Sequence, residues 1–181
     1  MKATGIVRRI DELGRVVVPK EIRKVLRIRE GDPLEIYTDS EGLIILKKYS
    51  HVGELGNYAL KYAESLAQVM NVLIAIADRD EIVAVSGGLK KDYIGRHVSK
   101  SLDEIMASRE NIMIPIGKHI INVADNMEIE AATQIIYNIV SDGDIIGCII
   151  AYRKEENKPF NEVEQKIISV ASSFLGKQME N

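Results

Sequence analysis

The chain has 181 residues, 46% of them hydrophobic, with a single cysteine and a formal net charge of −3. This length allows one good-sized domain or two small ones, and no apolar run approaches the roughly 18 residues that span a bilayer. One thiol excludes an internal disulfide framework and a multi-cysteine metal site. We therefore expect a globular protein of the cytoplasm.

Residues 1–29 predict two short strands and a helix. The letters IVRRI, after Gly5, and VVVP, after the LGR turn, have the composition of strands. Pro19 ends the second strand and suits the start of a helix, because it lacks an amide hydrogen and its φ is fixed. Apolar residues at helical spacing then predict one buried stripe, made of Ile22, Val25 and Leu26.

The segment after Gly31 predicts a hairpin, in which the strand DPLEIYTD and the turn SEGL lead to a last strand, IILKK. Four short strands and one or two helical turns in about 50 residues bury too little apolar surface to be stable alone. We therefore expect an intertwined homodimer, in which each chain completes the core of the other.

A domain boundary is predicted at 49–56, where two glycines interrupt any period. The predicted organisation is a domain over residues 1–50, a linker over 51–56 and a second domain over 57–181.

The second part of the chain predicts an α+β domain on an antiparallel sheet. Helices are expected over 54–70, over 98–109 and over 161–178, the last capped by Asn161. Strands are expected at VLIAIAD, IVAVS, IMIPI, HIINV, TQIIYNIVS and IIGCIIAYR. The apolar face of the first helix is predicted to be Leu55, Ala59, Tyr62, Leu66 and Val69, and that of the last helix to be Val163, Ile167, Val170, Ala171 and Phe174. Both helices are expected to serve the sheet on one side and a neighbouring chain on the other, which would join dimeric heads into a tetramer.

Positive charge is concentrated in the first 29 residues of the chain. Residues 1–29 carry nine Lys/Arg and three Asp/Glu, a net charge of +6, so the other 152 residues carry −9. A basic N-terminal segment on an otherwise acidic chain predicts a polyanion partner for that segment alone. The alternative is a solvated charged surface without a partner, which is the commoner origin of any single run of charge.

We favour double-stranded DNA as that partner. Arginine offers planar donors for phosphates and guanine edges, and lysine acts mostly as a point charge. Asp11, Glu12 and Glu21 can pair with one or two cations but cannot neutralise nine. The candidate DNA-binding residues are Arg8, Arg9 and Arg15 of the first hairpin and Lys20, Arg23, Lys24 and Arg27 of the helix.

Enzyme signatures are missing from the sequence. The three histidines are not spaced like metal ligands, and there is no phosphate loop, GxSxG elbow or dinucleotide fingerprint. We expect no catalytic activity, no metal and no cofactor, and we expect Cys148 to be a small apolar core residue.

Residues 4–49, with the specific core VRxIDELGRVVxPxEIR, closely resemble the AbrB-type swapped-hairpin DNA-binding domain of bacterial transition-state regulators. The resemblance implies an interlaced dimer, and it implies DNA contacts at Arg8, Arg15, Arg23 and Lys24. Lys24 stands where arginine is common in the family, and Arg27 stands where glycine is frequent.

The C-terminal part resembles a GAF domain through DGDIIGCIIAYRK followed by KPFNEVEQKIISVASSF, and the whole chain resembles sporulation regulators that combine the two domains. The resemblance implies a mostly β AbrB-like head, an α+β GAF-like domain for oligomerisation, and a possible small-molecule effector. The expected function is sequence-selective, DNA-binding regulation of sporulation genes, in the nucleoid and the forespore. The alternative is an antitoxin-like or architectural DNA-binding protein whose second domain is only an assembly module.

Overall fold

The computed structural model describes residues 5–50, 52, 56–89 and 91–180. The chain divides into two compact units, Met1–Tyr49 and Ser50–Asn181, called here the head and the body. Most of the predicted linker, including Leu55 of the first predicted helical face, lies outside the described residues.

The head contains one short helix and one hairpin. Helix α1 spans Lys20–Val25, strand β1 Leu34–Thr38 and strand β2 Ile44–Lys48. The strands pair in antiparallel register from Leu34 opposite Lys48 to Thr38 opposite Ile44. Their turn is closed by Asp39, whose Oδ1 accepts hydrogen bonds from the backbone N–H groups of Glu41 at 3.0 Å and Leu43 at 2.8 Å.

The two strands predicted before Pro19 do not form within the single chain. Residues 5–18 contain a turn at residues 12–14 and no strand. Backbone hydrogen bonds join the N–H of Asp11 to the carbonyl of Arg15 and the N–H of Gly14 to the carbonyl of Asp11, both at 3.0 Å. A strand requires a ladder of hydrogen bonds to a neighbour, and no other segment of the described chain pairs with these residues.

The predicted buried stripe of α1 is also wrong for the single chain. Val25 is 79% exposed and Leu26 54% exposed, while Ile22 is half-buried. None of residues 5–49 is buried, and fourteen large hydrophobic side chains of this segment are exposed. One copy of the head therefore has no core of its own.

The described strands of the body are β3 (Leu73–Asp78), β4 (Ile82–Ser86), β5 (Ile112–Ile114), β6 (Thr133–Ser141) and β7 (Asp144–Arg153). They form a five-stranded antiparallel sheet with the order β4-β3-β7-β6-β5. The helices of the body are α2 (Gly56–Met70), α3 (Lys100–Ser108) and α4 (Glu162–Lys177).

Both faces of the sheet are covered, so the central strands are apolar on both sides. All six residues of β3 are buried, and its five apolar residues alternate between two clusters. Ile74 and Ile76 pack with side chains of α2 and α4, whereas Leu73, Ala75 and Ala77 pack with α3 and residues 93–127. Cys148 is fully buried in the second cluster, in the apolar environment expected for it.

The predicted strand HIINV does not form. Its segment is held instead by the buried side chain of Gln134 on β6, whose Oε1 accepts from the N–H of Ile121 at 2.8 Å and whose Nε2 donates to the carbonyl of Ile121 at 3.0 Å. One side chain thus replaces a ladder, because it offers both a donor and an acceptor to the same residue.

The core faces of α2 and α4 differ from the predicted ones. The buried face of α4 contains Ile168, Ala171 and Leu175, whereas Val163 is 66% and Val170 68% exposed. On α2, Val69 is 75% exposed. Each helix has one apolar stripe that packs on the sheet and a second that is exposed. The face predicted from the sequence for each helix combined residues of both stripes.

Among the described residues, no helix combines the length and the apolar character needed to cross a membrane.

Candidate nucleic-acid interface

Four of the seven candidate cations lie on or just after α1. The helix begins after Pro19, whose φ of −57° suits a helix start, and Glu21 lies in its first turn. Lys20 and Lys24 are exposed, and Arg23 is half-buried. Arg23 and Lys24 lie in the last turn, where cations interact favourably with the carbonyl end of the helix.

Arg27 follows the helix in a left-handed conformation with φ 53°. The N–H of Ile28 donates to the carbonyl of Arg23 at 2.7 Å, and the N–H of Arg27 donates to the carbonyl of Lys24 at 3.3 Å. This pair of bonds is a Schellman motif, in which the left-handed position is usually glycine. The left-handed backbone explains why glycine is frequent at this position in the family that the chain resembles. The side chain of Arg27 is exposed.

The same end of the helix is fixed from β2. Lys48 Nζ donates to the carbonyl of Arg27 at 3.0 Å and lies 3.0 Å from the carboxylate of Asp32. Asp32 in turn accepts from the N–H of Arg29 at 2.8 Å. The ammonium group of Lys48 is therefore engaged inside the head, and Arg29 takes part through its backbone N–H.

The remaining three candidates, Arg8, Arg9 and Arg15, lie around the turn at residues 11–15, and all three are exposed. Arg8 Nη1 donates to the carbonyl of Val7 at 3.1 Å. Arg15 Nε donates to Asp11 Oδ2 at 2.8 Å, which confirms that one of the nearby acids pairs with a candidate cation.

The backbone hydrogen bonds that Asp11 accepts are a feature of this site that was not predicted from the sequence. Hydrogen bonds from the backbone N–H and the guanidinium of Arg15 hold the pKa of Asp11 below its ordinary value. The signal was present in the letters DELGR, since an aspartate at the start of a turn often accepts a hydrogen bond from the backbone N–H two residues later.

The body has a second surface of interest, a groove of about 500 Å³ between α2 and α4. We call it the α2–α4 groove, and it is lined by Tyr62, Ser65, Leu66, Val69, Val163, Lys166, Ile167, Val170 and Ala171. Tyr62, one of the lining residues, stacks on Phe174 with ring centroids 5.4 Å apart. Val69, Val163 and Val170 of the predicted apolar faces line the groove, and the structure leaves them exposed.

Comparison with known proteins matches both units. Residues 54–180 match the family model described as stage V sporulation protein T C-terminal, transcription factor, and residues 7–53 match that of antidote-toxin recognition MazE, bacterial antitoxin. Stage V sporulation protein T of Bacillus subtilis (strain 168) is 45% identical over 180 residues, which cover 99% of each chain. The transition state regulatory protein AbrB of the same organism is 55% identical over 69 residues, covering 35% of this chain and 71% of AbrB.

The body also has a structural relative, the GAF domain of an Acinetobacter phosphoenolpyruvate-protein phosphotransferase, with a TM-score of 0.56 and 13% identity over 74% of this chain and 84% of that one. An AbrB-like head followed by a domain with the GAF fold is the organisation of a two-domain transcription regulator. The chain belongs to the stage V sporulation protein T family of transcription factors, and its function is the regulation of sporulation genes.

Proposed function

We propose that the protein regulates sporulation genes by binding double-stranded DNA through seven cations of the head, and that the bodies join dimeric heads into a tetramer. The seven cations are Arg8, Arg9, Arg15, Lys20, Arg23, Lys24 and Arg27. The observation that carries the proposal is the exposure of six of these side chains, with the seventh half-buried, on two neighbouring parts of the head.

Charge supports the DNA contact. Asp11 binds Arg15 through Nε alone, which leaves the terminal nitrogens of that guanidinium for a phosphate or a base. Residues 1–49, with eleven Lys/Arg and eight Asp/Glu, give the head a net charge of +3, and the body carries −6. A polyanion is therefore attracted to the head and repelled by the body.

Burial supports the interlaced dimer. The absence of any buried residue among 5–49 leaves exposed apolar surface that a folded, water-soluble domain must cover. Val7, Val17 and Val25 are more than 70% exposed in one chain. A second copy that pairs with residues 5–18 would supply both the missing strand ladder and the missing core.

The α2–α4 groove supports the tetramer. Its apolar side chains lie on the helices of the body, so contacts there are separate from the contacts of the head. If the two kinds of contact join different partners, two dimeric heads are linked in one assembly.

The test of the DNA surface is Arg15→Ala compared with Lys47→Ala. Lys47 is an exposed cation of β2 in the same head and lies outside the proposed set. Affinity for a 30-base-pair duplex, selected by the wild-type protein from a random pool, is measured over a range of salt concentrations. We expect Arg15→Ala to weaken binding about tenfold or more and to reduce the salt slope by about one, with little effect from Lys47→Ala. Equal losses from both variants would reduce the surface to a diffuse charge effect.

Effector sensing by the body remains a prediction. Residues 87–131 cover one face of the sheet, and Leu102, Met106 and Met127 of this segment are buried against it. A thermal-shift panel of metabolites and nucleotides tests the prediction, because a ligand at 100 times its dissociation constant stabilises the native state by about 2.7 kcal/mol. A flat panel would leave the body as an assembly module.

A further inference from the structure

The carboxylate of Asp11 accepts three hydrogen bonds within five residues. Oδ1 accepts from the N–H groups of Leu13 at 3.0 Å and Arg15 at 2.8 Å, and Oδ2 accepts from Arg15 Nε at 2.8 Å. The turn between them contains Gly14, whose φ of 75° is left-handed. One side chain therefore fixes the turn and the guanidinium together.

The guanidinium of Arg15 is held through one edge only. Because Nε is engaged by Asp11, the planar group is restricted in direction, and its two terminal nitrogens are left to meet a partner. The side chain of Arg15 is 70% exposed, so these nitrogens are accessible. A paired arginine in this geometry resembles a preset two-pronged donor, the form that guanine O6 and N7 accept.

We propose that Asp11 is a positioning residue for DNA selectivity, which orients Arg15 toward a base edge and weakens binding to DNA in which that base is absent. The inference rests on the proposed contact of Arg15 with DNA. In this proposal the acidic Asp11 has a role inside a basic surface. Without that role, its negative charge would only reduce the affinity for DNA.

Two physical effects give this arrangement selectivity. An unrestrained arginine can reach phosphates of any sequence, whereas a restrained one requires an acceptor at a fixed place. The negative charge of Asp11 is also repelled by phosphates, and this cost applies to every sequence. Only a DNA sequence with a base that accepts from the oriented guanidinium offsets this repulsion. The protein therefore binds other sequences less tightly.

The test is Asp11→Asn in the full-length protein, with Glu12→Gln as the matched control. Asparagine keeps Oδ1, the acceptor for both backbone N–H groups of the turn, but replaces Oδ2 with an NH₂ group that cannot accept from Arg15 Nε. Glu12→Gln removes the same charge from the neighbouring residue. Both variants are measured on the selected 30-base-pair duplex and on a shuffled duplex of the same composition.

We expect Asp11→Asn to lower the ratio of selected to shuffled affinity about tenfold, because an oriented bidentate contact is worth roughly 1–3 kcal/mol of discrimination. Affinity for the shuffled duplex should rise slightly in both variants, since each loses one negative charge. The ratio for Glu12→Gln should stay within about twofold of wild type. An unchanged ratio in Asp11→Asn would overturn the inference.

A double-mutant cycle with Arg15→Ala separates this inference from the proposed function. If Asp11 acts through Arg15, Asp11→Asn has no further effect on the ratio in the Arg15→Ala background. If Arg15→Ala binds both duplexes as wild type does, the proposed DNA contact of Arg15 is overturned and the inference with it. If Arg15→Ala lowers the ratio and Asp11→Asn does not, only the inference fails.

A spectroscopic readout checks the orientation without DNA. The Nε–H resonance of Arg15 should shift in Asp11→Asn and stay in place in Glu12→Gln, whereas a role confined to the turn would leave it unchanged in both. Should Asp11→Asn lower the melting temperature of the head, Asp11→Ser repeats the measurements, because its hydroxyl can also accept from the turn.

Discussion

Arg27 shows how one residue can serve two opposing requirements. Its left-handed backbone, with φ 53°, costs a side-chain-bearing residue roughly 1–2 kcal/mol, which glycine avoids. Glycine loses part of that gain through the larger entropy of its unfolded state. The proposed DNA contact would give an exposed cation at this position a role beyond the backbone.

Arg27→Gly is expected to stabilise α1 by about 0.5–1 kcal/mol and to weaken DNA binding. Hydrogen exchange of the α1 amides measures the first effect, and titration with the selected duplex measures the second. Arg27→Ala is the control, because it removes the cation and keeps the backbone strain. If Arg27→Ala protects the amides as much as Arg27→Gly does, the strain at this position is not what limits the helix.

At the scale of elements, a buried ion pair joins the end of β7 to the start of α4. Arg153 is 1% exposed, and its terminal nitrogens reach the two carboxylate oxygens of Glu164 at 2.6 and 3.2 Å. The guanidinium lies over the ring of Phe160 and donates to the carbonyl of Met70, the last residue of α2, at 3.4 Å. Glu164 also accepts from the N–H of Asn161 in the capping box of α4.

Glu164→Gln is expected to destabilise the body by about 3 kcal/mol, because it leaves the buried Arg153 without its counter-charge. Glu162→Gln is the matched control on the same helical turn. Its partner Lys166 is exposed, and an exposed pair of this kind contributes at most about 1 kcal/mol. Urea unfolding followed by circular dichroism measures both variants, and similar midpoints for the two would show that the buried pair is dispensable.

The same pair predicts a dependence on pH. The hydrogen bond from Arg153 holds the pKa of Glu164 below its ordinary value. The folded-state pKa is therefore lower than the unfolded-state pKa of about 4.3, so the contribution is complete above that pH and is lost as the pH falls through the folded-state value. The stability difference between wild type and Glu164→Gln should be constant near neutral pH and should shrink in acid. A difference that grows as the pH falls would contradict this assignment.

Helices and strands were predictable from the sequence where a single continuous segment determines them. β3, β6 and β7 are long apolar runs bounded by turns, and α4 begins at the predicted cap Asn161. HIINV has the composition of a strand but is held by Gln134, a side chain thirteen residues from Ile121, and composition carries no information about such a contact. The two strands before Pro19 could not form because their ladder needs a partner that the single chain lacks.

The candidate site shows the same division. The helical spacing of Lys20, Arg23 and Lys24 was visible in the sequence, because period and charge are local properties. Arg27 was assigned to the helix but follows it in a left-handed conformation. The acceptor role of Asp11 and the engagement of Lys48 with Asp32 depend on side-chain geometry, so they required the structure.

At the scale of the whole molecule, exposed apolar side chains remain in both units. In the head they accompany the absence of a core. In the body Val69, Val163 and Val170, each more than 60% exposed, line the α2–α4 groove beside a buried core. The two surfaces therefore call for different tests. Disrupting the head contact should unfold the head, whereas disrupting the groove should leave the body folded.

Val170→Glu is expected to convert the proposed tetramer into a dimer without unfolding the body. Val170 is 68% exposed on α4 and lines the α2–α4 groove, so a carboxylate there is solvated in the single chain but would be buried against a neighbour at a cost of several kcal/mol. Phe174 is a less discriminating position, because its ring also stacks on Tyr62 within the chain.

Ser169→Glu is the control for Val170→Glu. Ser169 is an exposed position of α4 outside the groove, so the variant adds the same charge and should leave the assembly intact. Sedimentation velocity measures the mass of each variant, and the melting temperature of the body shows whether it remains folded. A wild-type protein that sediments as a dimer at all accessible concentrations would refute the tetramer, and a tetrameric Val170→Glu variant would place the contact elsewhere on the body.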